Sequence, residues 1–178
     1  ICDRIENLIE VNYAYKIAIS SSLGAAKNFI VTTDFDSAKR AIKYLKNFDL
    51  GRCTFFPLDT IKSRYIDNIT LNSIKDLTGF IGNASDLVSY DKKYKNIIEN
   101  QLGNVIIVDR LDDANKIGKK TDYKYKIVSL EGDILYSGGA VSGGRVNTNN
   151  DDKLNLLHMQ NEYNDKKGLL QSISVTLD

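Results

Sequence analysis

LIEVNYAYKIAISSSLG, Leu8 to Gly24, returns later in the chain as LVSYDKKYKNIIENQLG, Leu87 to Gly103. The offset is 87 − 8 = 79 residues and needs no gap. Leucine, the Tyr-Lys pair, isoleucine and the closing Leu-Gly recur in register. Both copies carry the same physical content. Asn12 and Asp91 stand where a helix N-cap belongs, placed to accept the free amides of a first turn. Tyr15, Ala18, Ile19 and Leu23 then share one helical face, as do Tyr94, Ile97, Ile98 and Leu102. Gly24 and Gly103 follow as C-cap glycines, free to take positive φ.

The likeness extends beyond the helix. FIVT at Phe29 to Thr32 and VIIV at Val105 to Val108 read as buried strands. An acidic helix start follows each, TDFDSA at Thr33 to Ala38 and DRLDDA at Asp109 to Ala114. The offset there is 114 − 38 = 76, so the second copy is three residues shorter at the helix-to-strand joint. The next helix of the first half is expected to place Phe35, Ala38, Ala41, Ile42 and Leu45 inward, and its partner Leu111, Ala114 and Ile117. Strands follow again, CTFFPL at Cys53 to Leu58 and YKIVSL at Tyr125 to Leu130.

Two helix-strand-helix-strand halves predict an α/β fold of two related lobes. Lobe one spans 1–59, a connecting segment 60–86 and lobe two 87–146, with 147–178 as a linker and the possible start of a coiled coil. Each lobe is expected to own its core, built from Ile19, Leu23, Ile30, Leu45 and Phe55 in one and Ile98, Leu102, Ile106 and Val128 in the other. A duplicated lobe also suits a two-lobed small-molecule binder or enzyme, and repetition by itself does not choose.

The densest local signal is GDILYSGGAVSGGR, Gly132 to Arg145, with glycine pairs at Gly138–Gly139 and Gly143–Gly144. Such pairs serve positive φ or the close approach of another backbone. Three readings compete: a phosphate cradle, a flexible surface loop and an interface for a tightly packed partner. Gly138 and Gly143 have the spacing of the first two P-loop glycines, but Gly144 and Arg145 follow where that motif needs Lys and Ser or Thr.

Composition narrows the classes. The formal net charge is +1, from 24 Lys and Arg against 23 Asp and Glu, so nucleic-acid contact requires a local patch. No apolar run reaches the roughly 20 residues that cross a bilayer. Two cysteines without a signal-like start fit a reducing cytoplasm, and the absence of an initiator Met marks an excised fragment. One histidine, His158, with Cys2 and Cys53 does not compose a zinc site, and no metal or other cofactor is expected.

SGGAVSGGR at Ser137 to Arg145, preceded by YKIVSLEGDILY, resembles the glycine signature closing the bacterial type of hinge domain in structural maintenance of chromosomes (SMC) proteins. GRCTFFPLD at Gly51 to Asp59, the run from Gly79 to Ala114, and Leu8 to Val31 resemble the same family. The likeness covers roughly Ile5 to Arg145; three serines at Ser20 to Ser22 depart from the Ala- and Leu-rich pattern usual there. The resemblance implies a homodimer in which lobe one of one chain meets lobe two of the other, with Gly138, Gly139, Gly143 and Gly144 at the contact. It also implies coiled-coil arms leading to distant ATPase heads, non-specific DNA contact, and a place in the cytoplasm on the chromosome.

Lysines cluster at Lys92, Lys93 and Lys95, and again at Lys116, Lys119, Lys120, Lys124 and Lys126. Either cluster reads as a solvated face; the second, interleaved with Tyr123 and Tyr125, also reads as a phosphate-contacting patch led by Lys116, Lys119, Lys120 and Lys124. In the tail, Leu156, Met159, Tyr163, Lys166, Leu170 and Ile173 form a short heptad seam. No catalytic residues are expected: Asp109, Asp112 and Asp113 sit at a helix start where carboxylates favour the dipole, and Ser142 lacks the nucleophile-elbow spacing.

Overall fold

The computed structural model describes residues 3–144. In chain order the elements are β1 (Ile9–Val11), α1 (Lys16–Leu23), β2 (Ile30–Thr32), α2 (Phe35–Asn47), β3 (Phe55–Pro57) and α3 (Asn68–Ile74). Then come β4 (Phe80–Asn83), β5 (Val88–Tyr90), α4 (Lys95–Leu102), β6 (Val105–Val108), α5 (Leu111–Lys120), β7 (Lys126–Ser129), β8 (Ile134–Leu135) and β9 (Val141–Ser142). The chain matches a mixed α/β fold of two related lobes.

The capping expected at the repeat is present, one turn earlier than the α-helices. Asn12 accepts the Ala14 amide and Asp91 the Lys93 amide, each at 3.0 Å. These capped residues open 3-10 turns, Tyr13–Tyr15 and Lys92–Tyr94, that run straight into α1 and α4. Within α1, Ser22 returns its hydroxyl to the Ala18 carbonyl at 2.7 Å, so a serine is tolerated in a buried position. Gly24 closes α1 at φ +53, as expected. Gly103 does not: its φ is −69. A Cβ there would collide with the backbone carbonyls of Arg64 and Glu99, so close packing, not handedness, requires glycine.

The repeat begins earlier than its sequence likeness shows. A 3-10 turn at Ile5–Leu8 has its counterpart 79 residues on, at Ala84–Leu87. Arg4 bridges Ile30 antiparallel, and Asn83 pairs with Ile106 in the same sense. β4 is therefore the first strand of lobe two, and the connector expected over 60–86 loses its last residues to that lobe. Its earlier part is not a bare link either, because Ile66 and Ile74 are buried in the lobe-two core. The three-residue difference between copies is the turn Gly24–Asn28, absent from lobe two, where β6 starts two residues after Gly103.

β1 and β5, neither expected from sequence, pair antiparallel with Glu10 opposite Ser89. Those two residues are repeat counterparts, so a local pseudo-twofold passes between them. β2 and β3 form a parallel pair in lobe one. Among the described residues, the main sheet of lobe two has five strands in the order β4-β6-β7-β8-β9, with β6 and β7 parallel.

The expectation of one core per lobe is corrected. Ala18, Ile19, Leu23 and Val31 of lobe one pack in the same cluster as Ile97, Ile98, Leu102 and Val105 of lobe two. Fully burying an aliphatic side chain is worth about 1.5–3 kcal/mol, so this shared cluster binds the lobes into one cooperative body. Lobe two alone has a second core, on the opposite sheet face, from Ile106, Val108, Ala114, Ile117, Ile127 and Leu135. Position 145, the tail 147–178 with its heptad seam, His158 and Cys2 lie outside the described residues.

Candidate association surface

The lobes differ most on the outer side of their second helices. In lobe two, α5 buries Ala114 and Ile117 completely. Gly118 leaves a notch filled by the Leu135 side chain and the Tyr123 ring, atoms that a Cβ there would meet at 2.8 and 3.0 Å. Of the counterparts 76 residues earlier, Ala38 is buried too, but Ala41 is only half-buried and Ile42, which stands where lobe two has Gly118, is exposed. Ile42 is 40% exposed; Phe35 is 57% exposed, and its counterpart Leu111, also expected to point inward, is 38% exposed. Of the five residues expected to point inward from α2, only Ala38 is buried. Phe35, Ala38, Lys39, Ile42, Phe55, Pro57 and Thr60 line an open groove of about 360 Å³.

The cause is topological. In lobe two the chain turns back after β7 and lays β8 and β9 alongside it. In lobe one it leaves β3 and enters the connector, so among the described residues no strand lies beyond β3. The apolar face of α2 is thus made by the sequence and left uncovered by the described residues.

β8 and β9 hold the glycine motif. Gly138 and Gly139 turn the hairpin with φ of +88 and +96. Their amides donate to the carbonyls of Tyr123 and Tyr136, each at 2.9 Å, and the Tyr136 amide donates to Ala140 at 2.7 Å. Gly143 lies against the Asp133 carboxylate, which a Cβ would strike. Gly144, at φ +128, donates its amide to Asp133 Oδ1 at 3.4 Å. The motif therefore has reasons for glycine inside one chain. It is also outward-facing: Gly138, Gly143 and Gly144 are exposed, and Val141 between the pairs is 59% exposed.

The expected basic residues fall into three conditions. Lys119 and Lys120 end α5 and Lys124 lies 5.2 Å from the Tyr125 ring centre; none of the three has a carboxylate partner among the described residues. Lys116 is held by Asp113 at 3.0 Å. Lys126 leaves the patch: it is half-buried and donates to the Ser22 carbonyl at 2.8 Å, joining β7 to the end of α1. Burial pushes its ammonium pKa down. In the other cluster, Lys93 and Lys95 pair with Asp91 and Glu99.

A second basic surface was overlooked in the sequence. Lys39, Arg40, Lys43 and Lys46 are exposed along α2, and Arg40 and Lys43 are the repeat counterparts of Lys116 and Lys119. The 76-residue offset was the available signal. Near the lobe-two patch, Asp67 caps α3 and is held down to about 2 by the Thr70 amide, then the Thr70 hydroxyl, then the Tyr125 hydroxyl. It clamps α3 to the start of β7.

The sequence model of the SMC proteins flexible hinge domain matches residues 1–118. The chain belongs to this hinge family. It is 41% identical over 145 residues to the chromosome partition protein Smc of Clostridium kluyveri, covering 82% of this chain and 12% of that one. To the Smc protein of Bacillus subtilis it is 40% identical over 147 residues, 83% of this chain and again 12% of the relative. The hinge thus spans about 12% of the length of these relatives. Among solved structures, the asymmetric dimer of the Geobacillus stearothermophilus SMC hinge domain superimposes with a TM-score of 0.82 at 36% identity, covering 93% of this chain and 68% of that one. The Pyrococcus furiosus SMC hinge gives 0.67 at 32% identity, covering 80% and 71%. No described helix of this hinge is long and apolar enough to cross a membrane.

Proposed function

We propose that this hinge joins two copies of its own chain, with the glycine hairpin of lobe two in one copy seated against the open groove of lobe one in the other. A twofold axis makes that contact twice. The carrying observation is the mismatch between the lobes: β8 covers the α5 groove within the chain, and among the described residues the equivalent groove on α2 has no cover. The partner's Val141 and outward glycines are the complementary surface, because bare backbone admits the ridge of Phe35 and Ile42 without a clashing side chain. The dimeric Geobacillus relative supports this reading.

In the longer protein, as a relative of Smc chromosome partition proteins, the hinge would join two arms into a ring-like assembly that embraces DNA. ATP hydrolysis would belong to segments outside this chain, and the chemistry of the hinge is association. Lys116, Lys119, Lys120 and Lys124 add weak, sequence-independent attraction for DNA phosphates, and the cations of α2 repeat it on lobe one. Light scattering at micromolar concentration tests the association: twice the 19.9 kDa chain mass is expected, and a monomer throughout that range refutes the homodimer.

A further inference from the structure

Tyr123 adopts φ +52 directly after Asp122 at φ +50, two left-handed non-glycine residues in succession. A tyrosine rarely takes that conformation, and Asp122–Tyr123 is the only such consecutive pair among the described residues. What the conformation accomplishes is visible in its contacts. The Tyr123 amide donates to the Gly118 carbonyl at 2.8 Å, tying the residue to the end of α5. Its carbonyl then points to the hairpin and accepts the Gly138 amide at 2.9 Å. Its ring fills the Gly118 notch and also meets Gly139, where a Cβ would sit 3.9 Å away. The hydroxyl donates to Asn115 Oδ1 at 3.2 Å. The next residue helps, since its carbonyl accepts the Ser137 hydroxyl at 3.0 Å.

We infer that Tyr123 is a positioning residue for self-association: its strained backbone and inserted ring hold the glycine hairpin in the geometry that meets the second copy. The inference rests on the homodimer reading above. The Gly138–Gly139 turn by itself is flexible, because glycine loses more freedom on ordering than any other residue. A hairpin fixed beforehand avoids that loss at the moment of association. The ring packs at the margin of the lobe-two core and is only partly buried, whereas Ile106, Val108, Ala114, Ile117 and Ile127 form its fully buried centre.

The test uses Tyr123→Asn, which tolerates positive φ but removes the ring, with Tyr123→Phe as the conservative control. Sedimentation equilibrium should show the dimer dissociation constant raised at least tenfold in Tyr123→Asn and near wild type in Tyr123→Phe. Hydrogen exchange at the hairpin amides, Tyr136 to Ser142, should quicken in Tyr123→Asn only, while circular dichroism stays unchanged. A dimeric wild type with an equally tight Tyr123→Asn dimer overturns the assignment of Tyr123 alone. Failure of Tyr123→Asn to fold also overturns it, because the ring would then serve the lobe itself. A monomeric wild type refutes the homodimer and this inference together.

Discussion

Replacing Phe35 and Ile42 by serine strips the apolar groove of lobe one at a moderate cost to the monomer. Both side chains are partly in water, 57% and 40% exposed, so by the same burial scale the folded chain itself loses about 2 kcal/mol. In the dimer their remaining surface would be covered. Fully burying such a side chain contributes about 1.5–3 kcal/mol, and scaling by those fractions gives about 1.5 kcal/mol for Phe35 and about 1 kcal/mol for Ile42. Two symmetric contacts carry the groove twice, so the double variant should weaken association by about 5 kcal/mol. At about 1.4 kcal/mol per tenfold, Kd rises by roughly a thousandfold or more. Sedimentation velocity across a concentration series would read the shift, and thermal melting would check the monomer. An unchanged Kd would refute the groove as the contact. A collapsed melting temperature would show that α2 needs those residues for folding.

The glycines give a second test: Gly143→Val drives into Asp133 and Gly144→Val cannot relax at φ +128, so the pair should abolish dimerisation at about 1–3 kcal/mol per site while circular dichroism reports a folded chain. Reversing Lys119, Lys120 and Lys124 to Glu should weaken binding of duplex DNA of any sequence and flatten its salt dependence, with the dimer unchanged; fluorescence anisotropy at several salt concentrations would show it. Asp67 is held at about 2 against an ordinary 3.8, so its stabilisation is present above about pH 4 and is lost as pH falls toward 2. Melting curves across that range should therefore be flatter for Asp67→Asn than for the wild-type chain, and identical slopes would remove Asp67 from the acid response.

The legibility of this hinge follows from which forces are local. Caps, helical faces and β-rich runs are short-range, so Asn12, Asp91, the α1 and α4 faces and the strand at Val105–Val108 could be read directly and were found in place. Two-residue strands such as β8 and β9 carry too little pattern to be seen; only the glycines between them stood out. Gly103 shows the limit of local reasoning. Its position after a helix suggested a left-handed cap, and the reason for glycine proved to be the distant Arg64 carbonyl.

The sequence by itself determined the duplication, the order of helices and strands, the family and the glycine motif, because each is written in neighbouring residues or in a fixed offset between them. Only the tertiary structure decided what the duplication does not share. α2 and α5 are repeat counterparts, yet Ile42 stands exposed where Gly118 receives Leu135 and Tyr123. Lys126 sits in a basic run, yet is withdrawn to the end of α1. Tyr123 looked like part of that patch, yet it anchors the hairpin. Burial and exposure depend on where the chain goes next, and β8 and β9 follow β7 but not β3.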